Sequence, residues 1–412
     1  LIQRRQTDKG LRIVYEKNES VRSVSIGIWI RTGSRFETVE QNGISHFLEH
    51  MFFKGTEKRS AQDIAEAFDA IGGQVNAFTA QEFTCLYAKV MDSHAEQALD
   101  ILSDMFFGSK FDEDELNKEK GVVLEEIKMY EDTPDDIVHD LLGEAIYQDH
   151  PLGFPILGTA ETLKTFDGDA LRKYMDQHYH AENVVVSVAG NVDESFIDLT
   201  ESSFSTIKKR SETEQHKQPQ FFNGQIVRKK DIEQAHLCLG FNGVAVDEKD
   251  IYGTVLINNV LGGSMSSRLF QEVREKRGLA YSVFSYHSAF LDSGMMTVYA
   301  GTDPSQLDEV SDIMMTTIAS IRDQGLTDKE LTNAKEQLKG NLMLGLESTS
   351  SRMNRNGKNE LLVGRHKTLD ELVKDIENVT AADIKRISER LFDHSCAVSL
   401  ISANGEVPKI LN

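Results

Sequence analysis

His46-Phe47-Leu48-Glu49-His50 spells H-x-x-E-H, the inverse of the H-E-x-x-H zinc-binding signature, in a stretch that reads as helix. At about 3.6 residues per turn, His46 and His50 stand one above the other on a single face. Two imidazoles at that spacing can grip one zinc ion. Glu49, three residues after His46, lies on the same side and can reach a metal-bound water. Histidines four apart also arise by chance, most of them as surface or satisfied core residues. The glutamate at the one required position, with apolar Phe47, Leu48, Met51, Phe52 and Phe53 around it, makes chance the poorer account. A catalytic zinc takes three protein ligands and leaves a fourth position open, so one ligand remains to be found.

The chain has 412 residues, too many for one ordinary core, so two or more domains are expected. Its 40% hydrophobic and 27% charged content is that of a globular protein. Cys85, Cys238 and Cys396 are its three cysteines, widely spaced and matching no metal or redox motif, which fits a reducing compartment and argues against a disulfide framework. No run of 18 apolar residues occurs, so no membrane span is expected. The net charge of −21 argues against nucleic acid as a partner, because phosphate binding needs a basic face. An acidic surface is commonly a solubility device; around an enclosed site it would favour basic ligands.

Strand-like alternation opens the chain at 11–16 and 23–32, and the motif helix follows. Ser60-Ala61-Gln62-Asp63 is a helix cap, and Gly72-Gly73 closes that helix. Residues 74–90 read as strand, 95–107 as amphipathic helix, and 112–146 as a longer helical stretch broken near Pro134. Residues 183–190 look like a buried strand. Polar composition from Lys208 to Gly224, through 211–215 to Pro219, marks the best linker, after which the element order repeats. The segment Phe111 to Glu119 is echoed by Leu326 to Glu336, each opening a helix after an amphipathic one. The expected fold is therefore α+β: two homologous domains related by internal duplication, each a mostly antiparallel sheet packed with helices. Residues 1–207 form the metal-binding domain, 208–226 the linker, and 227–412 a second domain with no H-x-x-E-H of its own.

The helical segment Glu119 to Ile127 is apolar on one side and carries acids near that face. Glu119 and Glu126 lie two turns apart and can address one site, while Glu125 points roughly 100° away from Glu126. Spacing alone leaves these acids as candidates, since helix carboxylates are usually solvated. The chain as a whole resembles the pitrilysin/insulinase family of zinc peptidases, and within it the bacterial and mitochondrial processing-peptidase branch, including the beta subunit of the mitochondrial enzyme. The likeness rests on Gly43 to Thr56, on Asn76-Ala77-Phe78-Thr79 with Glu82 and Thr84, and on Glu119 to Glu126. It extends through Pro151-Leu152-Gly153, Ile156-Leu157-Gly158 and Leu269 to Tyr281. The resemblance implies Glu126 as third zinc ligand, with Glu125 the weaker candidate, Glu119 as a support of the site, and Glu49 as general base.

It further implies a zinc endopeptidase, with one Zn²⁺ per chain, in a bacterial cytoplasm. Asn76, Ala77, Phe78 and Thr79 match an edge strand that pairs with extended peptide, a mode in which backbone hydrogen bonds give affinity. Arg274 and Tyr281 match a pair from the metal-free half, the arginine for a substrate carbonyl and the tyrosine hydroxyl for the developing oxyanion. Asp136 and Asp140, four apart on one helix face, match acids that read a basic residue near the cleavage point. The expected partners are thus basic, extended peptides. A homodimer is the economical assembly for a chain half the length of four-domain relatives. Two rivals stand beside this reading: an inert scaffold on the same fold, and a general oligopeptidase with no processing role.

Overall fold

Seven consecutive buried residues, Val184–Gly190, form the strand around which the first sheet is organised. The computed structural model describes residues 2–210, 216–393 and 395–411. In chain order the strands are β1 (Ile2–Gln6), β2 (Arg12–Lys17), β3 (Ser23–Ile30), β4 (Gln74–Thr79), β5 (Thr84–Met91), β6 (Val184–Gly190), β7 (Gln225–Lys229), β8 (Ala235–Asn242), β9 (Ala280–Ala289), β10 (Gly294–Thr302) and β11 (Ala397–Ser402). The first sheet has the order β1-β2-β6-β3-β5-β4 and the second β7-β11-β8-β10-β9. In the first, β6 runs parallel to β2 and antiparallel to β3. In the second, β11 runs parallel to β7 and antiparallel to β8. With β1 set aside, the two sheets have the same order and the same directions, as a duplicated α+β unit requires.

The sequence echo falls where the duplication puts it. Asp112 accepts from the N–H groups of Asp114 and Glu115 at the start of the Glu113–Glu131 helix. Thr327 and Glu330 cap the Asp328–Gly345 helix reciprocally. One sequence expectation needs correction. Residues 74–90 are two strands, β4 and β5, because the chain reverses at Ala80, whose N–H donates to Phe83 O at 2.8 Å. The helical stretch 112–146 breaks near Pro134 as expected, into Glu113–Glu131 and Pro134–Tyr147, with Pro134 in the first turn of the second, where its missing N–H costs nothing.

The compact units differ from the contiguous halves expected on either side of 208–226, a segment whose residues 211–215 lie outside the described residues. Unit one is Leu1–Lys128, Phe154–Lys217 and Leu344–His366; unit two is Met129–Gly153, Gln218–Met343 and Lys367–Asn412. Each sequence half thus contributes one helix to the other's unit. In unit two, the Pro134–Tyr147 helix buries Ile137, Val138, Leu141, Leu142 and Ile146 in a cluster with Cys238, Tyr299, Ala397 and Ile401. In unit one, the Thr349–Leu362 helix buries Met353 and Leu361 with Val14, Trp29, Cys85, Val185 and Ala189. A strand serine takes each helix in the same way: Ser187 Oγ donates to Met353 O at 2.8 Å, and Ser399 Oγ to Val138 O at 2.7 Å.

The helix in unit one is also tied by charge. Glu16 of β2 accepts from Arg352 at 2.5 Å and from Asn356 at 3.0 Å. Fully buried Glu360 pairs with Arg4 at 2.9 Å and with His366 at 2.8 Å. An amphipathic pattern announces that a helix has an apolar face but does not name the sheet it covers, which is why the exchange was not legible in sequence. The remaining apolar side chains of unit one form a core beneath the motif helix, with Phe47, Leu48, Met51 and Phe52 in it.

The closest approach in this packing is at Gly357, where an added Cβ would meet the Trp29 ring at 2.2 Å. Alanine gains about 1 kcal/mol of helix propensity over glycine, whereas overpacking a buried ring costs about 1–3 kcal/mol. Gly357→Ala is expected to lower unfolding stability, read from the urea midpoint; an unchanged or raised midpoint would contradict this packing.

Candidate metal centre

The Ile44–Met51 helix has two faces with different work. Phe47, Leu48 and Met51 anchor one in the core. His46, Glu49 and His50 lie on the other; His46 is buried, while Glu49 and His50 are half-buried. The Glu113–Glu131 helix is anchored by Leu116 and Val123 and brings Glu119 and Glu126 to the same place. The Nε2 atoms of His46 and His50 stand 3.2 Å apart, and Glu126 Oε2 lies 3.7 Å from the first and 3.4 Å from the second. Zinc at 2.0–2.1 Å from tetrahedral donors separates them by about 3.3–3.4 Å. The three measured edges straddle that value, so this donor set fits the ion. Among the described residues it is the one group of three or more His, Cys, Asp or Glu donors close enough to hold a metal.

Protonation fits as well. Burial, and then the neighbouring His50, push the His46 pKa down to about 3, which keeps its imidazole neutral and ready to ligate. Glu119 is buried, and its Oε1 lies 2.8 Å from His50 Nδ1. A carboxylate there accepts a hydrogen bond from the Nδ1–H and leaves the His50 Nε2 lone pair free for a metal. Lys54 Nζ holds the other Glu119 oxygen at 2.7 Å. Sequence reading missed Lys54, although it stands four residues after His50 and the spacing could have pointed to it. Glu125 is exposed and paired with Lys128 at 2.6 Å, away from the donors.

Glu49 is held differently. Burial raises its carboxyl pKa, opposed by a hydrogen bond from the Thr79 hydroxyl to Oε2 at 2.7 Å. A carboxylate whose proton affinity is raised in this way is suited to taking a proton. Thr79 ends β4, and β4 is the outermost strand of its sheet. Asn76 is exposed, Ala77 buried, and Phe78 and Thr79 half-buried along this free edge. The edge strand and the base are therefore joined by one hydrogen bond, a link that spacing could not reveal.

The other site candidates belong to unit two. Asp136 is exposed and Asp140 half-buried on the Pro134–Tyr147 helix. Burial raises the Asp140 pKa to about 6, with Asp136 and Glu131 adding to it and a Tyr130 hydrogen bond opposing. Arg274 sits in a π-helix, Phe270–Glu275, its guanidinium carbon 4.8 Å from the Phe270 ring centroid and 4.7 Å from that of Tyr281. It also donates to Tyr281 O at 3.0 Å. Tyr281, at the start of β9, is 79% exposed.

Sequence comparison agrees with this organisation. The family profile described as "Insulinase (Peptidase family M16)" matches residues 12–160, and "Peptidase M16 inactive domain" matches 165–338. The "Uncharacterized zinc protease YmxG" of Bacillus subtilis is 58% identical over 99% of this chain and 100% of its own. The "Uncharacterized zinc protease SCO5738" of Streptomyces coelicolor is 42% identical over 95% and 87% of the two chains. The fold is that of a protease from Helicobacter pylori, with a TM-score of 0.91 at 22% identity over 98% of this chain and 99% of that one.

Two outcomes follow from this geometry. Glu119→Gln is expected to weaken zinc binding about 10- to 100-fold, measured by chelator competition, because the His50 support loses its charge. For Asp140 the folded pKa lies above the ordinary aspartate value, so ionising it opposes folding as pH rises from about 4 to about 6. Asp140→Asn should therefore be more stable than wild type at pH 7.5, by about 1–2 kcal/mol after allowance for solvent screening, with the gain shrinking towards pH 4.5. Urea titrations at the two pH values check the sign.

Proposed function

The chain belongs to the M16 (insulinase) family of peptidases, and on that premise we propose that it is a zinc-dependent endopeptidase acting on extended, unstructured peptides. The observation that carries the reading is the complete donor triad of His46, His50 and Glu126 beside a partly desolvated Glu49. Zinc bound there supplies Lewis acidity towards a water and the scissile carbonyl. His46 and His50 would hold it through Nε2, and Glu126 through Oε2. Thr79 occupies Glu49 Oε2, which leaves Oε1 to take the proton of the attacking water and to pass it to the leaving amine. A peptide added along β4 would run antiparallel or parallel to a strand that ends at the base itself, so backbone pairing would place a peptide bond near the catalytic carboxylate.

Arg274, preorganised between two rings, would hold a substrate carbonyl, and the exposed Tyr281 hydroxyl would donate to the oxyanion. Asp140 is an anion held at a cost by its surroundings, and with Asp136 it would be relieved by a guanidinium; this supports a preference for Arg or Lys on the amino-terminal side of the scissile bond. A homodimer and a processing role belong to the same proposal. The inert-scaffold alternative is disfavoured, because an inert site has no use for a neutral His46, an oriented His50 and a poised Glu49 together.

The test is cleavage of two quenched peptides, one with Arg and one with Ala before the cleaved bond, by wild type and by Glu49→Gln, with zinc content measured in both. Loss of general-base assistance is expected to lower kcat by about 10²- to 10⁴-fold with zinc retained. The Arg peptide should be the better substrate of wild type. A wild type that holds zinc and cuts neither peptide would leave the scaffold reading standing.

A further inference from the structure

The helix that carries His46, Glu49 and His50 has no capping side chain at its own N-cap. That position is Gly43, in the left-handed region at φ +94°, and a Cβ there would meet Leu157 O at 2.7 Å and Gly158 Cα at 2.8 Å. Backbone packs against backbone, and a capping serine or aspartate has no room. The first N–H groups of a helix still need acceptors. They find one in Glu37, outside the helix and six residues before its N-cap. Glu37 Oε2 accepts from Gly43 N–H at 2.8 Å and from Asn42 Nδ2 at 3.0 Å, and Oε1 accepts from Ser45 N–H at 2.9 Å. The side chain is 3% exposed.

All three donors are neutral. Burying a carboxylate among neutral donors costs far more than burying an amide, so the charge is not explained by satisfying the fold alone. A carboxylate differs from an amide in having two acceptor oxygens and no donor, and here both oxygens are used, one on the Gly43 N–H and the other on the Ser45 N–H of one turn. We propose that Glu37 is a positioning residue of the zinc site: its two oxygens fix the rise and rotation of the Ile44–Met51 helix, and so the direction in which His46 and His50 aim their Nε2 atoms. This rests on the reading of that site as a zinc peptidase centre. The same turn is tied from a second side, because Ser45 Oγ lies 2.9 Å from the Tyr174 hydroxyl, which lies 2.7 Å from Thr32 Oγ1. Asn42 in turn donates to Pro155 O at 2.9 Å. His46 follows Ser45 directly, so displacement of this turn moves the first ligand with it.

Glu37→Gln keeps the shape and gives up one acceptor: its NH₂ must face either the Ser45 N–H or the Gly43 and Asn42 donors, and the first turn must shift. Metal donors tolerate displacements of about half an ångström before affinity falls. The experiment compares wild type, Glu37→Gln and Asp167→Ala. The last removes an ordinary cap, in which Asp167 Oδ1 accepts from Ala170 N–H at 2.8 Å, from the Gly168–His178 helix of the same unit. Zinc affinity by chelator competition, melting temperature, and kcat and KM per zinc-loaded molecule are measured for each.

Glu37→Gln is expected to weaken zinc binding about 10-fold or more and to lower kcat by a similar factor, with KM within about twofold of wild type. Asp167→Ala is expected to lose only melting temperature. If Glu37→Gln also loses only melting temperature, the proposal is overturned. Should that variant fail to fold, Asn42→Ala removes one donor from the same carboxylate and is expected to weaken zinc binding about threefold; zinc affinity equal to wild type overturns the proposal there. A wild type that binds zinc and cleaves no peptide counts against the peptidase reading, while the zinc affinities still decide the role of Glu37.

Discussion

Three metal donors held 3.2–3.7 Å apart in a half-buried place are the constraint that the surrounding architecture serves. Two imidazole lone pairs and a carboxylate oxygen facing one another do not attract, so without a cation the arrangement has to be imposed from outside. The imposition comes from two helices whose opposite faces are locked in one core, Phe47 and Leu48 on the first and Leu116 and Val123 on the second. Polar groups then set what packing cannot: Glu119 selects the His50 tautomer, Lys54 holds Glu119, and Thr79 orients Glu49. Glu119 lies within a helix and Thr79 ends a strand, while Lys54 lies in the bend just after the motif helix. A rigid frame is what a metal centre needs, because donor geometry loosened by more than about half an ångström lowers affinity.

The same frame explains why acid chemistry at the site is divided among carboxylates. Glu119 and Glu126 stand two turns apart on one helix, yet one is buried beneath His50 and the other reaches the donor cluster. Burial raises the pKa of Glu49, whose Oε2 accepts from the Thr79 hydroxyl. On the proposed reading, environment and not residue type would separate support, ligand and base.

Much of this was legible in sequence, and the reasons differ by residue. His46, Glu49 and His50 declare themselves through local helix periodicity. Glu126 emerged over Glu125 only with the aid of family resemblance; the physical basis is the stripe of Leu116 and Val123 that turns Glu125 to solvent. The duplication was readable from element order and from the echoed caps at Asp112 and Thr327. What sequence did not give was long-range partnership: the reciprocal exchange of the Pro134–Tyr147 and Thr349–Leu362 helices, the Thr79 bond to Glu49, and the external cap from Glu37. Periodicity reports that a face is apolar or that a donor is orphaned, and tertiary packing alone chooses the partner.

Duplication also shows how one architecture can carry a metal in one copy and none in the other. The Ile251–Leu261 helix follows β8 as the Ile44–Met51 helix follows β3, but its sequence, Ile-Tyr-Gly-Thr-Val-Leu-Ile-Asn-Asn-Val-Leu, offers no imidazole or carboxylate. Leu256, Ile257, Val260 and Leu261 bury it in the core of its own unit. Where unit one has the regular Ala61–Asp69 helix before its edge strand β4, unit two has the Phe270–Glu275 π-helix before β9, which sets Arg274 between two aromatic rings. A π-turn inserted at an element end is a common way to re-aim a side chain without rebuilding the fold. The two copies have thus kept the sheet order, in which every strand direction is fixed by its neighbours, and diverged at the helix faces and edge strands, where a change of side chain leaves the ladder of backbone hydrogen bonds untouched.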